Sequence, residues 1–140
     1  MYKHILIATD LSTSSEQICA RAHELAQLTS AKVSLLHVIE AQFSYGYAYS
    51  WPQEFTEQIL EEVRELMENL GDRYQIANAD QHIDEGVAKV KILEMAKNIN
   101  ADCIVVGTHT HHGLETLLGS TASAVLRHSP VDVLTVITKK

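Results

Sequence analysis

Two stretches carry residues that could do chemistry together. GTHTHHGLETLLGST (Gly107–Thr121) sets His109, His111 and His112 ahead of a closing Gly119-Ser120-Thr121, and a short apolar run near the start of the chain ends on Thr9-Asp10. Three imidazoles could supply nitrogens to zinc or copper. His111 and His112 are adjacent, however, and adjacent side chains rarely converge on one ion; Glu115 is the one acidic residue within the stretch. Anion binding fits the pattern better. The first turn of a helix presents unpaired amides and the positive end of the dipole. Gly119 would let an oxyanion approach the backbone, Ser120 and Thr121 add hydroxyls, and Gly107 at the end of a strand would permit a tight turn beside a ligand. Taken alone, Gly119-Ser120 is a helix start with a serine cap. Asp10 at the end of another strand tips the reading toward a phosphate site.

The stretch is not a Walker loop, because no lysine follows Gly119. Without that lysine, a triphosphate would need a divalent cation to screen it. Asp10 is a candidate neighbour for that cation or for a ribose hydroxyl; the competing reading makes it a cap or turn residue before the first helix.

These residues are positioned by alternating strands and helices. HILIATD (His4–Asp10) is a short β-prone run, and Ser12-Thr13-Ser14-Ser15 offers caps for a helix with Ile18, Ala22, Leu25, Ala26 and Thr29 on one face. KVSLLHV (Lys32–Val38) is a second strand. The stretch from Trp51 to Gly71 is an amphipathic helix: Pro52 suits its first turn, Gly71 its C-terminal cap, and Phe55, Ile59, Val63, Leu66, Met67 and Leu70 its apolar stripe. A weak strand falls in Gln81–Asp84. A third helix faces inward with Val90, Ile92, Leu93 and Ala96. ADCIVVG is a strand, a fourth helix starts around Gly119–Ser120, and VDVLTVI (Val131–Ile137) is the last strand. Five strands and four helices in strict alternation predict a single doubly wound α/β domain over residues 1–140, with a parallel sheet and helices on both faces. Ligands of such sheets sit beyond the carboxyl ends of the strands, where the winding reverses.

The 140 residues are 46% apolar and carry a formal charge of −7. That charge argues against nucleic acid or an anionic membrane as partner, since both reward clustered Lys and Arg. No segment reaches the ~20 apolar residues of a membrane span, and the N-terminal apolar run meets Asp10 too soon for a signal peptide. Cys19 and Cys103 are far apart and read as packing residues in a reducing cytoplasm.

The chain resembles the universal stress proteins over nearly its whole length. The similarity rests on MYKHILIATDLSTSS, AKVSLLHVIE, EGVAKVKILEMAKNINADCIVVGTHT and GLETLLGSTASAVLRHSPVDVLTV. It implies a five-stranded parallel sheet in the order 3-2-1-4-5 and homodimers paired through the last strand, here Val131–Ile137. Many members bind ATP or AMP with G-x-x-G, eight or nine residues, then G-[ST]. Gly107, Gly119, Ser120 and Thr121 match that pattern; Thr110 stands where the second glycine belongs. By the same resemblance Thr9, Asp10 and the backbone around Val38 and Ile39 border adenine and ribose. Gly107, Thr108, His109 and Thr110 border ribose and the first phosphate, and Gly119, Ser120 and Thr121 hold phosphates, with Mg2+ if a triphosphate is bound.

Phe43, Tyr45, Tyr47, Tyr49 and Trp51 alternate along one connection. They could pack on the sheet edge, cover the nucleotide or meet a protein partner. The sequence thus predicts a cytoplasmic adenine-nucleotide-binding stress protein acting as a dimeric sensor or regulator. A slow ATPase or self-phosphorylating protein is the enzymatic alternative, but Asp10 and His109, the candidate bases, have no visible orienting partner. A stress protein that binds no nucleotide, or a metal-binding histidine loop, is the remaining one.

Overall fold

A computed structural model describes residues 1–40, 53–110, 116–117 and 119–138; the side chains of residues 53–55, 109–110 and 116–117 lie outside that description. The elements run β1 (His4–Ala8), α1 (Ser15–Thr29), β2 (Lys32–Ile39), α2 (Gln53–Tyr74), a 3-10 turn (Asn78–Asp80), β3 (Gln81–Glu85), α3 (Ala88–Asn98), β4 (Cys103–Thr110), β5 (Thr116–Leu117), α4 (Ser120–His128) and β6 (Asp132–Thr138). Five strands are parallel, in the spatial order β3-β2-β1-β4-β6. This is the expected 3-2-1-4-5 order. The C-terminal strand is sixth along the chain because β5, two residues long, folds back antiparallel on the end of β4.

Strand alternation divides the core into two layers. Ile5 and Ile7 of β1 and Leu35 of β2 pack under α1 and α2 with Ile18, Cys19, Ala22, Val63 and Met67. Leu6 and Leu36 face the other way, under α3 and α4, with Ile92, Ala96, Ala122 and Val125. Both layers exist because successive side chains of a strand point to opposite faces. The two strands at the middle of the sheet therefore carry unbroken apolar runs, Ile5–Ala8 in β1 and Cys103–Val106 in β4, as a sheet covered on both sides requires. Asp102 ties the start of β1 to the start of β4: its carboxylate accepts the amides of Lys3 (2.9 Å) and His4 (3.1 Å).

Several helix details depart from the sequence reading. Gly71 does not cap α2, which runs one turn further to Tyr74. The Tyr74 hydroxyl donates to Glu16 Oε2 of α1 at 2.5 Å, and Gln75 takes the left-handed conformation at φ 60° that ends the helix. Gly71 is needed for close packing instead: a Cβ there would overlap the Gln81 side-chain amide and stand 2.7 Å from the Ile76 carbonyl. Leu66 and Val90, expected to face inward, are exposed. Leu66 lines a surface groove with Arg73 and the residues that begin α1. On α3 the burial falls on Ile92 and Ala96. Cys19 and Cys103 are both buried in the α1/α2 layer, and burial pushes their thiols up to about 12 and about 11. Among the described residues, no helix is long and apolar enough to cross a membrane.

Candidate functional site

The chain winds outward from β1 through β2 to β3, then returns to lay β4 on the other side of β1. The reversal therefore lies between β1 and β4, and a cavity of about 630 Å³ opens there at the carboxyl ends of the strands. That is where an open α/β sheet takes its ligand, because the connections leave in opposite directions and part a crevice. The volume lies within the ordinary range of small-molecule sites.

The turn after β1 forms the first wall. Thr9 is buried; its amide donates to the Leu36 carbonyl at 2.9 Å, and its hydroxyl shares a hydrogen bond with Ser15 Oγ at 2.6 Å. The Leu11 amide donates to Thr9 Oγ1 (3.0 Å) and the Ser12 amide to Asp10 Oδ1 (2.9 Å). These bonds hold Leu11 in the left-handed conformation at φ 61°, costly for a residue with a branched side chain. Asp10 thus does shape the turn before α1, and its residue also lines the cavity. The two readings of Asp10 are compatible.

β2 supplies the second wall. Val38, Ile39 and Glu40 line the cavity beside His37, whose Nδ1 donates to the Thr9 carbonyl at 2.8 Å. A Glu40 carboxylate oxygen accepts the Ala88 amide at the start of α3 (3.1 Å). Gly107, Gly119, Ser120 and Thr121 complete the wall from β4 and α4.

Two glycine arguments need correction. Gly107 is not at a strand end and makes no turn: β4 continues to Thr110, and Gly107 pairs opposite Val136. Among the described glycines, Gly86 alone has a positive φ. Gly107 is small because α1 packs on it; a Cβ there would overlap Ile18 Cδ1. Gly119 likewise needs no special angle, since its φ of −59° and ψ of 157° suit any residue. A Cβ on Gly119 would meet nothing within 4 Å among the described residues. Among the described residues neither backbone strain nor packing explains glycine at position 119.

Gly119 is the N-cap of α4, with no side-chain cap, and its carbonyl accepts the Ser123 amide at 2.8 Å. The amides of Ser120, Thr121 and Ala122 precede that first intrahelical bond, so the helix itself gives them no partner. The described lining residues include the carboxylates of Asp10 and Glu40 and no Lys or Arg. An anion here would be held by helix amides and hydroxyls.

The remaining expected site residues are placed differently. Thr108 is 1% exposed and does not line the cavity; its carbonyl accepts the Thr138 hydroxyl, and its own hydroxyl finds no partner among the described residues. The backbones of His109 and Thr110 lie in β4, opposite Leu117 and Thr116, and their side chains fall outside the description. His111, His112, Glu115 and the aromatic stretch Phe43–Trp51 also lie outside the described residues. Among the described residues no His, Cys, Asp and Glu group is arranged for a metal.

The sequence reading missed Ile59 and Val63 of α2 and Ile92 of α3 as cavity walls. They register in the sequence as helix stripes, a core signal, and nothing in their spacing says that the core opens above them. His37 had a signal, since it sits inside the same LLHV run as Val38.

The comparisons agree with this architecture. The universal stress protein family model matches residues 1–136. Universal stress protein A homolog 1 of Coxiella burnetii is 42% identical, with 99% of each chain covered. The crystal structure of a universal stress protein in complex with cAMP superposes with a TM-score of 0.68 at 26% identity, covering 97% of each chain. The universal stress protein UspA from Lactobacillus plantarum shares the fold with a TM-score of 0.76 at 23% identity, covering 96% of this chain and 97% of its own. A match of this extent, on a sheet wound in the same order, settles the relationship: the chain belongs to the universal stress protein family.

Proposed function

We propose that the chain is a cytoplasmic stress-response protein that binds an adenine nucleotide, ATP or AMP, and acts as a dimeric sensor or regulator. The carrying observation is the convergence on one cavity of Asp10 after β1, Val38 and Ile39 at the end of β2, Gly107 of β4 and the uncapped start of α4. In this reading the apolar side chains of Val38 and Ile39 flank the base, Asp10 takes the ribose hydroxyls or a cation, and Gly119, Ser120 and Thr121 take phosphate. Gly107, Thr108, His109 and Thr110 belong to the same segment of β4.

The related structure holding cAMP supports an adenine ligand for the family's fold at 26% identity. Gly119 adds support from this chain itself, because close approach of a ligand gives a reason for a glycine that the described residues do not supply. The acidic lining supports Mg2+ as companion to a triphosphate, whose charge the helix amides alone would not balance. Calorimetric titration with ATP, ADP, AMP and cAMP, with and without magnesium, tests the proposal. Saturable one-site binding of ATP or AMP is expected. Heats no larger than dilution for every nucleotide would overturn it.

A further inference from the structure

The geometry points to His37 as a ligand-contacting residue of the cavity, accepting a hydrogen bond through Nε2 from a donor on the bound nucleotide. This rests on the nucleotide reading of the cavity. The inference starts from one bond: His37 Nδ1 lies 2.8 Å from the Thr9 carbonyl. A carbonyl oxygen accepts and cannot donate, so Nδ1 carries the hydrogen. In a neutral imidazole the other nitrogen is then a bare acceptor. Nε2 has no partner among the described residues, and the half-buried His37 lines the cavity with Asp10.

Another half-buried histidine of the sheet, in β1, shows the contrast. His4 spends both nitrogens inside the protein, Nδ1 on the Ile99 carbonyl (3.0 Å) and Nε2 on Ser34 Oγ (2.7 Å). His37 spends one. Its ring is fixed, because the carbonyl it grips belongs to Thr9, itself held by Leu36, Ser15 and Leu11. A fixed acceptor on an otherwise acidic and apolar wall selects a ligand with N–H or O–H at that place. An exocyclic amine or a sugar hydroxyl meets the requirement. A phosphate oxygen does not.

Two substitutions separate contact from support. In His37→Asn the side-chain amide stands near the place of Nδ1, so the bond to Thr9 is kept and the outer acceptor is lost. In His37→Gln the polar group moves out to the place of Nε2, so the acceptor is kept and the inner bond is lost. Calorimetry with AMP at pH 8 reads both variants against the wild type. The expected result is a Kd about three- to ten-fold weaker in His37→Asn, with thermal stability near wild type, and a smaller loss of affinity in His37→Gln. Wild-type affinity in His37→Asn would overturn the contact while leaving the nucleotide reading intact. Affinity that falls only in His37→Gln, alongside its stability, would reduce His37 to a support for Thr9. A wild-type protein that binds no nucleotide overturns both readings.

Discussion

The space where a Gly107 Cβ would stand is filled by the Ile18 side chain of α1. Ile18 is buried against the sheet and lines the cavity, so Gly107→Ala must turn Ile18 into the cavity, push α1 or force a poor rotamer. We expect a loss of about 1–3 kcal/mol in urea unfolding without nucleotide. Ile18→Val removes the overlapping methyl, so the double variant should lose less than the sum of the two singles. Additive losses would show that the Ile18 contact is not the cause.

Gly119→Val should separate fold from binding in the opposite way. Its backbone angles suit valine and its Cβ position is open among the described residues, so we expect a cost of about 1 kcal/mol or less from the poorer N-cap. Nucleotide affinity should drop by more than about ten-fold, because the branched side chain occupies the approach to the first amides of α4. Calorimetry beside a melting curve reads both quantities. A stable variant with wild-type affinity would remove phosphate from this helix.

Acid should weaken the join between β1 and β4. The amides of Lys3 and His4 hold the Asp102 carboxyl below the usual carboxylate range. A lowered folded value means that the unfolded chain takes up the proton first as pH falls. The stabilisation is therefore complete above about pH 4 and lost as pH drops through the lower folded value. Urea midpoints between pH 2 and 5 should fall with a shallower slope in Asp102→Asn, which keeps an accepting oxygen and has no proton to gain. Equal slopes would assign the acid sensitivity elsewhere.

The β6 edge should make a dimer. Among the described residues β6 pairs with β4 alone, and Leu134 and Ile137 are exposed on it, Ile137 by 57%. An apolar edge strand left bare invites pairing with a second copy. Light scattering at micromolar concentration should give twice the chain mass of 15.6 kDa. Ile137→Lys, an edge lysine of the kind that blocks strand pairing, should shift it toward one chain. A wild-type monomer would place the apolar edge outside any self-association.

The order of elements and the end of the sheet that bears the cavity were legible along the chain. Periodicity is local: apolar runs such as Ile5–Ile7 and the Val63–Met67–Leu70 stripe record which faces are covered whatever covers them. Alternating strands and helices then leave the carboxyl ends of the strands as the ligand side, which is why Asp10, Val38 and Gly119 could be named from sequence. The strand order came from resemblance, since periodicity does not say which strands are neighbours. Tertiary structure alone decided why particular residues stand where they do. Gly107 reads like a turn glycine in sequence; it lines the cavity without making a turn, and its missing Cβ leaves room for Ile18, 89 positions away along the chain, while Gly71 reads like a helix cap and makes room for Gln81. Thr108 falls within the expected binding segment, yet strand alternation turns its side chain into the core. His37 shows the same limit from the other side. Which of its nitrogens carries the proton depends on the Thr9 carbonyl, 28 residues earlier, and a bond between two strands is formed only when the sheet closes.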